Sequence, residues 1–170
     1  QLGSFPARSF EALFQGTAAL PWEDFIPADG QFPVKGHALD SQLHSVPDCQ
    51  KIIKKAAAKR LGERYGLEKL PETGAKHQIQ FAIMRDQCFL YLDTSGPGLH
   101  KRGYRAVGVA APLRETLAAA MVQLSRYRGR DPFRDPFCGS GTIAIEAALI
   151  AKNRAPGLDR SFDAQKWKWL

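Results

Sequence analysis

The residues best suited to chemistry form the glycine-rich turn Asp135–Thr142 (DPFCGSGT), which an apolar run over residues 143–151 follows. A turn that opens a helix presents unpaired backbone N–H groups and the positive end of the helix dipole. Such a turn suits a phosphate or a carboxylate group. Asp135 stands four residues before the first glycine and adds an acceptor for a cationic group of the same ligand. The sequence therefore predicts an anion-binding turn with an acidic partner.

Three classes of ligand compete for this turn. The phosphate-binding loop of nucleotide hydrolases needs a lysine after its last glycine, and Thr142 follows Gly141, so this class is rejected. A dinucleotide fold needs GxGxxG/A, which residues 139–144 match, and an acidic residue about 20 positions on. Asp159 has that spacing but lies in a predicted loop. The third class is S-adenosylmethionine, whose carboxylate suits the helix end and whose ammonium group suits Asp135.

The elements on either side must position this turn. A helix is predicted from Pro112 onward, and its apolar spacing predicts this buried face: Leu113, Leu117, Ala120, Met121 and Leu124. Residues 130–134 lead into the turn but are poorly strand-like, because charged side chains interrupt them. The run from Asp93 to Gly98 is rich in glycine, serine and proline, and we place a domain boundary there.

Upstream of that boundary, the pattern predicts the order strand, helix, strand, strand, with strands at residues 31–39, 78–84 and 88–93. The helix begins after Ser45, with Pro47 and Asp48 in its first turn, and ends at Gly66. Its predicted apolar face is Cys49, Ile52, Ile53, Ala56 and Leu61. Before these elements, a short helical pattern around residues 10–14 ends at Pro21.

Composition narrows the class of protein. With 170 residues, 44% of them hydrophobic and 24% charged, the chain has globular composition and one or two domains. The apolar run 141–151 is too short to span a bilayer, and no export signal is expected at the start. Three widely spaced cysteines without a CxxC pair argue against a zinc site and fit a reducing cytoplasm. We therefore expect a cytoplasmic protein with no metal and no membrane partner.

The net charge of +7 is unevenly distributed along the chain. Residues 51–105 hold 12 of the 24 basic side chains and five of the 17 acidic ones. A basic middle segment of this kind is typical of a surface that binds a polyanion, although a solvated lysine-rich helix face gives the same pattern.

The motifs resemble those of one known family. The turn, with Ile145–Ala148 after it, is similar to the cofactor motif of the THUMP-domain RNA methyltransferases. These include the bacterial large-subunit ribosomal RNA guanine-N2 methyltransferases. Three more segments are similar in the same order: 93–105 to the junction between THUMP and catalytic domains, 111–119 to the helix before the turn, and 153–158 to the segment after it. The resemblance covers nearly the whole chain.

The resemblance implies an α/β fold. Residues 1–95 would form an N-terminal THUMP domain with ferredoxin-like α+β elements. Since the sequence opens with Gln1 and not with an initiator methionine, we expect the N-terminus of this domain to be incomplete. Residues 96–170 would begin a Rossmann-like class I methyltransferase domain. The implied cofactor is S-adenosyl-L-methionine. The implied partner is RNA, and ribosomal RNA is favoured over transfer RNA.

The resemblance also implies site residues. Those implied for the cofactor are Asp135, Phe137, Gly139, Gly141 and Thr142, with Pro112, Glu115 and Thr116 nearby. Those implied for RNA are Lys51, Lys54, Lys55 and Lys59 on the helix, and Lys101, Arg102 and Arg105 in the junction.

The family's catalytic motif, [Asn/Asp]-Pro-Pro-[Tyr/Phe], does not occur in the 28 residues after Thr142. No catalytic residue is therefore assigned, and we expect this fragment to be inactive alone. The alternative is a non-catalytic RNA-binding module, or a transfer RNA guanine-N2 methyltransferase.

Single residues outside these motifs carry weaker expectations. Glu146 is expected to be a buried acid satisfied by a neighbouring loop, and Cys138 to be a packing residue. The four histidines are expected at the surface or in caps, and Trp167 and Trp169 against the sheet. Tyr104 is expected either to stack on a base or to pack within the junction.

Overall fold

A computed structural model describes residues 1–105 and 112–167. The chain divides into two compact units, Gln1–Gly96 together with the segment from Asp163, and Pro97–Phe162. Residues 163–167 lie in the first unit, although they follow the second unit in sequence.

The first unit is built on a four-stranded mixed sheet in the order β1-β4-β3-β2. Its strands are β1 (Gly3–Pro6), β2 (Val34–Leu39), β3 (Ile79–Met84) and β4 (Gln87–Leu92). β2 pairs in parallel with β3, and the other pairs are antiparallel. The three predicted strands are confirmed to within a few residues. β1 was missed, because four residues ending in a proline show too little alternation.

Two helices, α1 (Phe10–Ala18) and α2 (Val46–Tyr65), belong to this unit. α2 is the crossover that a parallel pair of strands requires between β2 and β3. It starts after Ser45, whose hydroxyl donates to the Asp48 carboxylate at 2.6 Å. It ends at Gly66, whose φ of +67° lies in the left-handed region that favours glycine. Both predicted ends of this helix are confirmed.

The core of the first unit is formed by the inward-facing residues of the sheet and of the two helices. Alternate β3 residues, Ile79, Phe81 and Ile83, are buried. On α2 the predicted apolar face is confirmed, although Ile52 is only half-buried. Gly36 on β2 is required by close packing, because a Cβ there would lie 2.1 Å from the Phe81 carbonyl oxygen.

The segment after Phe162 packs against the residues just before β3. It forms a short 3-10 helix, Asp163–Lys166, and then buries Trp167. The Trp167 indole N–H donates to the Lys76 carbonyl oxygen at 2.9 Å, and its ring stacks on His77 with centroids 4.8 Å apart. His77 is 1% exposed, so its expected surface or capping position was wrong. The predicted packing of Trp167 is confirmed, and Trp169 lies outside the described residues.

The second unit contains α3 (Glu115–Leu124) and α4 (Thr142–Ala151), and no strand among its described residues. The prediction for α3 was wrong in two respects. The helix begins at Glu115 rather than Pro112, and the predicted face is open to solvent, with Leu124 82% exposed. The buried stripe is Glu115, Ala118 and Val122, which periodicity overlooked because it contains an acid. No helix in residues 1–105 or 112–167 is long and apolar enough to cross a membrane.

Candidate functional site

The glycine turn has the geometry that the sequence predicts. α4 begins at Thr142, and Gly141 before it has a φ of +71°. Gly139 has a φ of +53°, so both glycines adopt the left-handed conformation that other residues rarely accept. The turn is closed by a hydrogen bond from the Gly141 N–H to the Cys138 carbonyl oxygen at 2.7 Å. The first N–H groups of α4 then lack partners within the helix, which makes this end a place for an anion.

Asp135 lies beside the turn with one oxygen unused. Its Oδ1 accepts a hydrogen bond from the Phe137 N–H at 3.3 Å. Its Oδ2 is buried and has no hydrogen-bond partner among the described residues. A buried carboxylate oxygen without a donor is costly, so this atom suits a cationic donor supplied by a ligand.

The other predicted cofactor residues differ in their exposure. Phe137 is 94% exposed, and Pro112 and Thr116 are also exposed. Thr142 and Glu115 are buried. The structure therefore leaves Phe137 open to a ligand and places Thr142 and Glu115 inside the unit.

Arg105 connects the turn to the start of α3. Its Nε lies 2.9 Å from Oε1 of Glu115, and its Nη2 donates to the Leu113 carbonyl oxygen at 3.2 Å. The same Nη2 donates to the Thr142 hydroxyl, which also hydrogen-bonds to the Ser140 hydroxyl. Arg105 was predicted to contact RNA, and the structure instead shows its guanidinium engaged in positioning the turn. The sequence signal that could have indicated this pairing is an acid, Glu115, at the first position of a helix.

Glu146 on α4 forms a second buried cluster. It is 2% exposed, and it accepts from Arg102 Nη2 at 3.3 Å and from the Tyr104 hydroxyl at 3.0 Å. Burial, and then the hydrogen bond to Glu146, raise the pKa of Tyr104. The expectation of a buried acid satisfied by a loop is confirmed, and Tyr104 packs in the junction. The Arg102 side chain is only 12% exposed, so this predicted RNA contact faces inward.

Two arginines after α4 were not singled out by the sequence. Arg160 donates to the carbonyl oxygens of Pro97 at 2.6 Å and Gly98 at 3.0 Å, which secures the start of the second unit. Arg154 binds both oxygens of Asp159 at 3.0 and 3.1 Å. Asp159, the acid at the spacing that a dinucleotide fold requires, is therefore paired with Arg154 on the surface of a loop.

Three of the four predicted lysines on α2 project into solvent. Lys51, Lys55 and Lys59 are exposed, as is Lys101. Lys54 is half-buried, with its Nζ 2.6 Å from Glu72 Oε2 and 3.5 Å from the centre of the Phe32 ring. Lys54 therefore stabilises the fold of the first unit.

The three cysteines occupy two different environments. Cys49 and Cys88 are buried, and burial raises the pKa of both thiols, that of Cys88 to about 12. Cys138 is exposed in the glycine turn, so its expected packing role was wrong. The described residues contain no group of three or more histidine, cysteine or acidic side chains placed to hold a metal ion.

Comparison with known families gives two matches along the chain. The THUMP domain model matches residues 7–93, and the model described as "RMKL-like, methyltransferase domain" matches residues 102–168. The "Putative RNA methyltransferase YpsC" of Bacillus subtilis (strain 168) is 51% identical over the whole chain. The "Ribosomal RNA large subunit methyltransferase K/L" of Psychromonas ingrahamii is 34% identical over 99% of it. The chain spans 45% and 23% of the lengths of these two relatives.

Solved structures of two related proteins have a similar fold. A "predicted N6-adenine-specific DNA methylase" from Listeria monocytogenes has a TM-score of 0.94 and 52% identity, covering 99% of this chain and 44% of its own. SMU.472, "a putative methyltransferase complexed with SAH", has a TM-score of 0.93 and 45% identity, covering 99% and 45%. The chain therefore belongs to the THUMP domain family, and its THUMP domain is followed by a segment that matches the RMKL-like methyltransferase domain.

Proposed function

We propose that the protein is an S-adenosylmethionine-dependent RNA methyltransferase. The observation that carries the proposal is the turn at the start of α4, with its two left-handed glycines and the buried, unpartnered Oδ2 of Asp135. The complex of SMU.472 with SAH, the demethylated form of this cofactor, supports it. The names of the Bacillus and Psychromonas relatives support RNA as the substrate.

The residues present fit the methionine end of this cofactor. Oδ2 of Asp135 would accept a hydrogen bond from its ammonium group, and the N–H groups at the start of α4 would bind its carboxylate. Phe137, exposed beside Asp135, would cover the cofactor. When bound, S-adenosylmethionine supplies an electrophilic methyl group on a sulfonium centre. The residues of this chain would fix the position of that methyl group and shield it from water.

For the substrate, we propose the N2 amine of a guanine in large-subunit ribosomal RNA. The support is the relative named for large-subunit ribosomal RNA, together with the motif resemblance. We propose that residues 1–95 form the RNA-binding domain and that the cofactor-binding domain begins at residue 96. The proposed phosphate contacts are the exposed lysines Lys51, Lys55, Lys59 and Lys101.

The cofactor is tested by titrating the 170-residue chain with SAH and following its backbone amides by NMR. We expect the amide signals of Gly139, Gly141 and Thr142 to shift, and Asp135→Asn to weaken the binding. Asp131→Asn removes an exposed acid nearby and should leave the binding unchanged. An absence of shifts at these three amides, with shifts on adding NAD instead, would overturn the proposal.

The substrate is tested with the polypeptide extended to the length of YpsC. It would be incubated with isotopically labelled S-adenosylmethionine and, in separate reactions, with unmodified large-subunit ribosomal RNA and unmodified transfer RNA. We expect labelled N2-methylguanosine after digestion to nucleosides. Label in another nucleoside would refute the guanine-N2 assignment, and label in transfer RNA alone would refute the ribosomal substrate.

A further inference from the structure

A groove between α1 and α2 combines aromatic rings with basic side chains. It is lined by Phe10, Glu11 and Phe14 of α1 and by Ile52 and Lys55 of α2. Its volume is about 260 Å³, which is below the ~300 Å³ at which pockets for drug-sized ligands begin. The groove therefore suits a ligand of the size of a single ring system better than a larger one.

The aromatic side of this groove is accessible. Phe10 is 41% exposed, although most phenylalanines of the first unit are buried or half-buried. Phe14 follows one helical turn later and is half-buried. Residues four apart lie on one face of a helix, so the two rings line the same wall. An exposed phenyl ring beside a second ring offers a stacking surface to a flat ligand.

The basic side of the groove has an uncommitted charge. Lys55 is exposed and forms no ion pair or hydrogen bond among the described residues. Lys51 and Lys59 flank it at four-residue spacing, and each of these lies near an acid of its own helix, at 3.5 and 3.7 Å. The Lys59 ammonium also lies 5.8 Å from the centre of the Phe14 ring. Lys55 therefore lines the groove itself, and Lys51 and Lys59 carry the neighbouring positive charges on α2.

The single acid in the groove faces along its own helix. Glu11 Oε1 accepts a hydrogen bond from Gln15 Nε2 at 2.6 Å. One oxygen of Glu11 is therefore engaged within α1, and Lys55 is the basic side chain among the lining residues that can bind an anionic ligand. A ligand of this groove would carry both a flat ring and a negative charge.

We propose that this groove binds an unpaired nucleotide of the RNA substrate, with its base stacked on Phe10 and Phe14 and its phosphate on Lys55. Stacking on aromatic side chains with lysines along the backbone is how proteins hold single-stranded nucleic acid. The inference rests on the proposed RNA-binding function and names the site and the nucleotide conformation that it selects. This mode of binding differs from one in which the lysines of α2 bind duplex RNA through charge alone.

The test measures binding of the 170-residue chain to a fluorescent single-stranded RNA of about 10 nucleotides, by anisotropy from about 50 to 200 mM salt. Phe10→Leu keeps an apolar side chain but removes the ring, so we expect binding to weaken about 5- to 150-fold with an unchanged salt slope. Phe10→Trp keeps a ring and should bind at least as tightly as the parent. Lys55→Ala should lower the salt slope by about 0.7.

Two matched controls separate this site from general effects. Leu39→Ala removes another exposed apolar side chain of the first unit, and Lys69→Ala removes another exposed lysine. Neither should change the affinity by as much as its groove counterpart. If Phe10→Leu binds like the parent while Lys55→Ala weakens binding, the nucleotide site is refuted and RNA binding stands. If the parent chain binds no RNA even at the lowest salt, the proposed RNA-binding function itself is refuted.

Discussion

The hydroxyl of Tyr104 donates a hydrogen bond to Oε1 of Glu146, which lies 42 residues further along the chain and 3.0 Å away. Arg102 binds the other oxygen of the same carboxylate at 3.3 Å. A buried carboxylate is tolerated only when it is paired and hydrogen-bonded, so these two contacts make the burial of Glu146 in α4 possible. The cluster thereby attaches the segment before α3 to the helix that the glycine turn opens.

Removal of Glu146 should destabilise the protein strongly. Glu146→Ala leaves the nearly buried Arg102 guanidinium without a partner, and we expect a loss of about 3 kcal/mol in the free energy of unfolding. Urea denaturation followed by circular dichroism measures it, with the exposed Glu68→Ala as the control. The double variant Glu146→Ala, Arg102→Met should recover part of the loss. Equal midpoints for Glu146→Ala and the parent would contradict this account.

Arg105 should influence the cofactor turn without touching the cofactor. Arg105→Lys keeps the positive charge beside Glu115 but loses the guanidinium fork that also reaches Leu113 and Thr142. We expect the affinity for SAH to fall about ten-fold, the cost of one charge-assisted hydrogen bond. The amide signals of Gly139 and Gly141 should already shift without ligand.

The control for this experiment is Arg126→Lys, which changes an exposed arginine after α3 in the same way. Its SAH affinity and its turn amides should match the parent. If Arg105→Lys also matches the parent, the proposed positioning role is disproved.

The stability of the first unit should depend on pH through His77. Burial lowers the pKa of His77 from its ordinary value of 6.5. The unfolded state therefore takes up a proton at a higher pH than the folded state does. The contribution of neutral His77 to the free energy of unfolding is fully present above pH 6.5. It is lost as the pH falls below that value, by at most about 1.4 kcal/mol per pH unit.

Urea denaturation of the parent and of His77→Phe at several pH values measures this dependence. The phenyl ring keeps a stacking partner for Trp167 but does not titrate. We expect His77→Phe to lose less stability than the parent between about pH 7.5 and about pH 5.5, roughly one unit either side of the ordinary histidine pKa. Identical pH profiles for the two proteins would rule out His77 as the source.

Trp167 should be needed for the stability of the first unit, although it follows the whole second unit in sequence. Trp167→Ala should cost about 3 kcal/mol, because it removes a large buried ring and the hydrogen bond to the Lys76 carbonyl. Trp167→Phe keeps most of the ring contact and should cost less. Denaturation midpoints of the three proteins test this, and an unchanged midpoint for Trp167→Ala would contradict the packing described.

Local signals explain why much of the first unit was predictable. The ends of α2 follow from Ser45, Pro47 and Gly66, and the alternation of β3 follows from a sheet with one buried face. The glycine turn was also predictable, because its conformation depends on two glycines within three residues.

Several of the remaining differences involve pairing between residues that are distant in sequence. Arg102 and Arg105 read as surface charges in the sequence, and only their proximity to Glu146 and Glu115 shows that they are internal. The same pairing buries Glu115 and selects the face of α3 that periodicity had excluded. His77 is buried by Trp167, a contact across 90 positions that no local pattern encodes.

The distribution of the thiols offers a means of observing the turn directly. Cys49 and Cys88 are shielded, and Cys138 is the exposed cysteine of the three in the chain. A maleimide dye added to the folded protein would therefore attach beside Gly139, without any prior mutagenesis. Its emission would report the arrival of a ligand at the start of α4 in real time, and labelling in denaturant would reveal the two buried thiols as an internal standard.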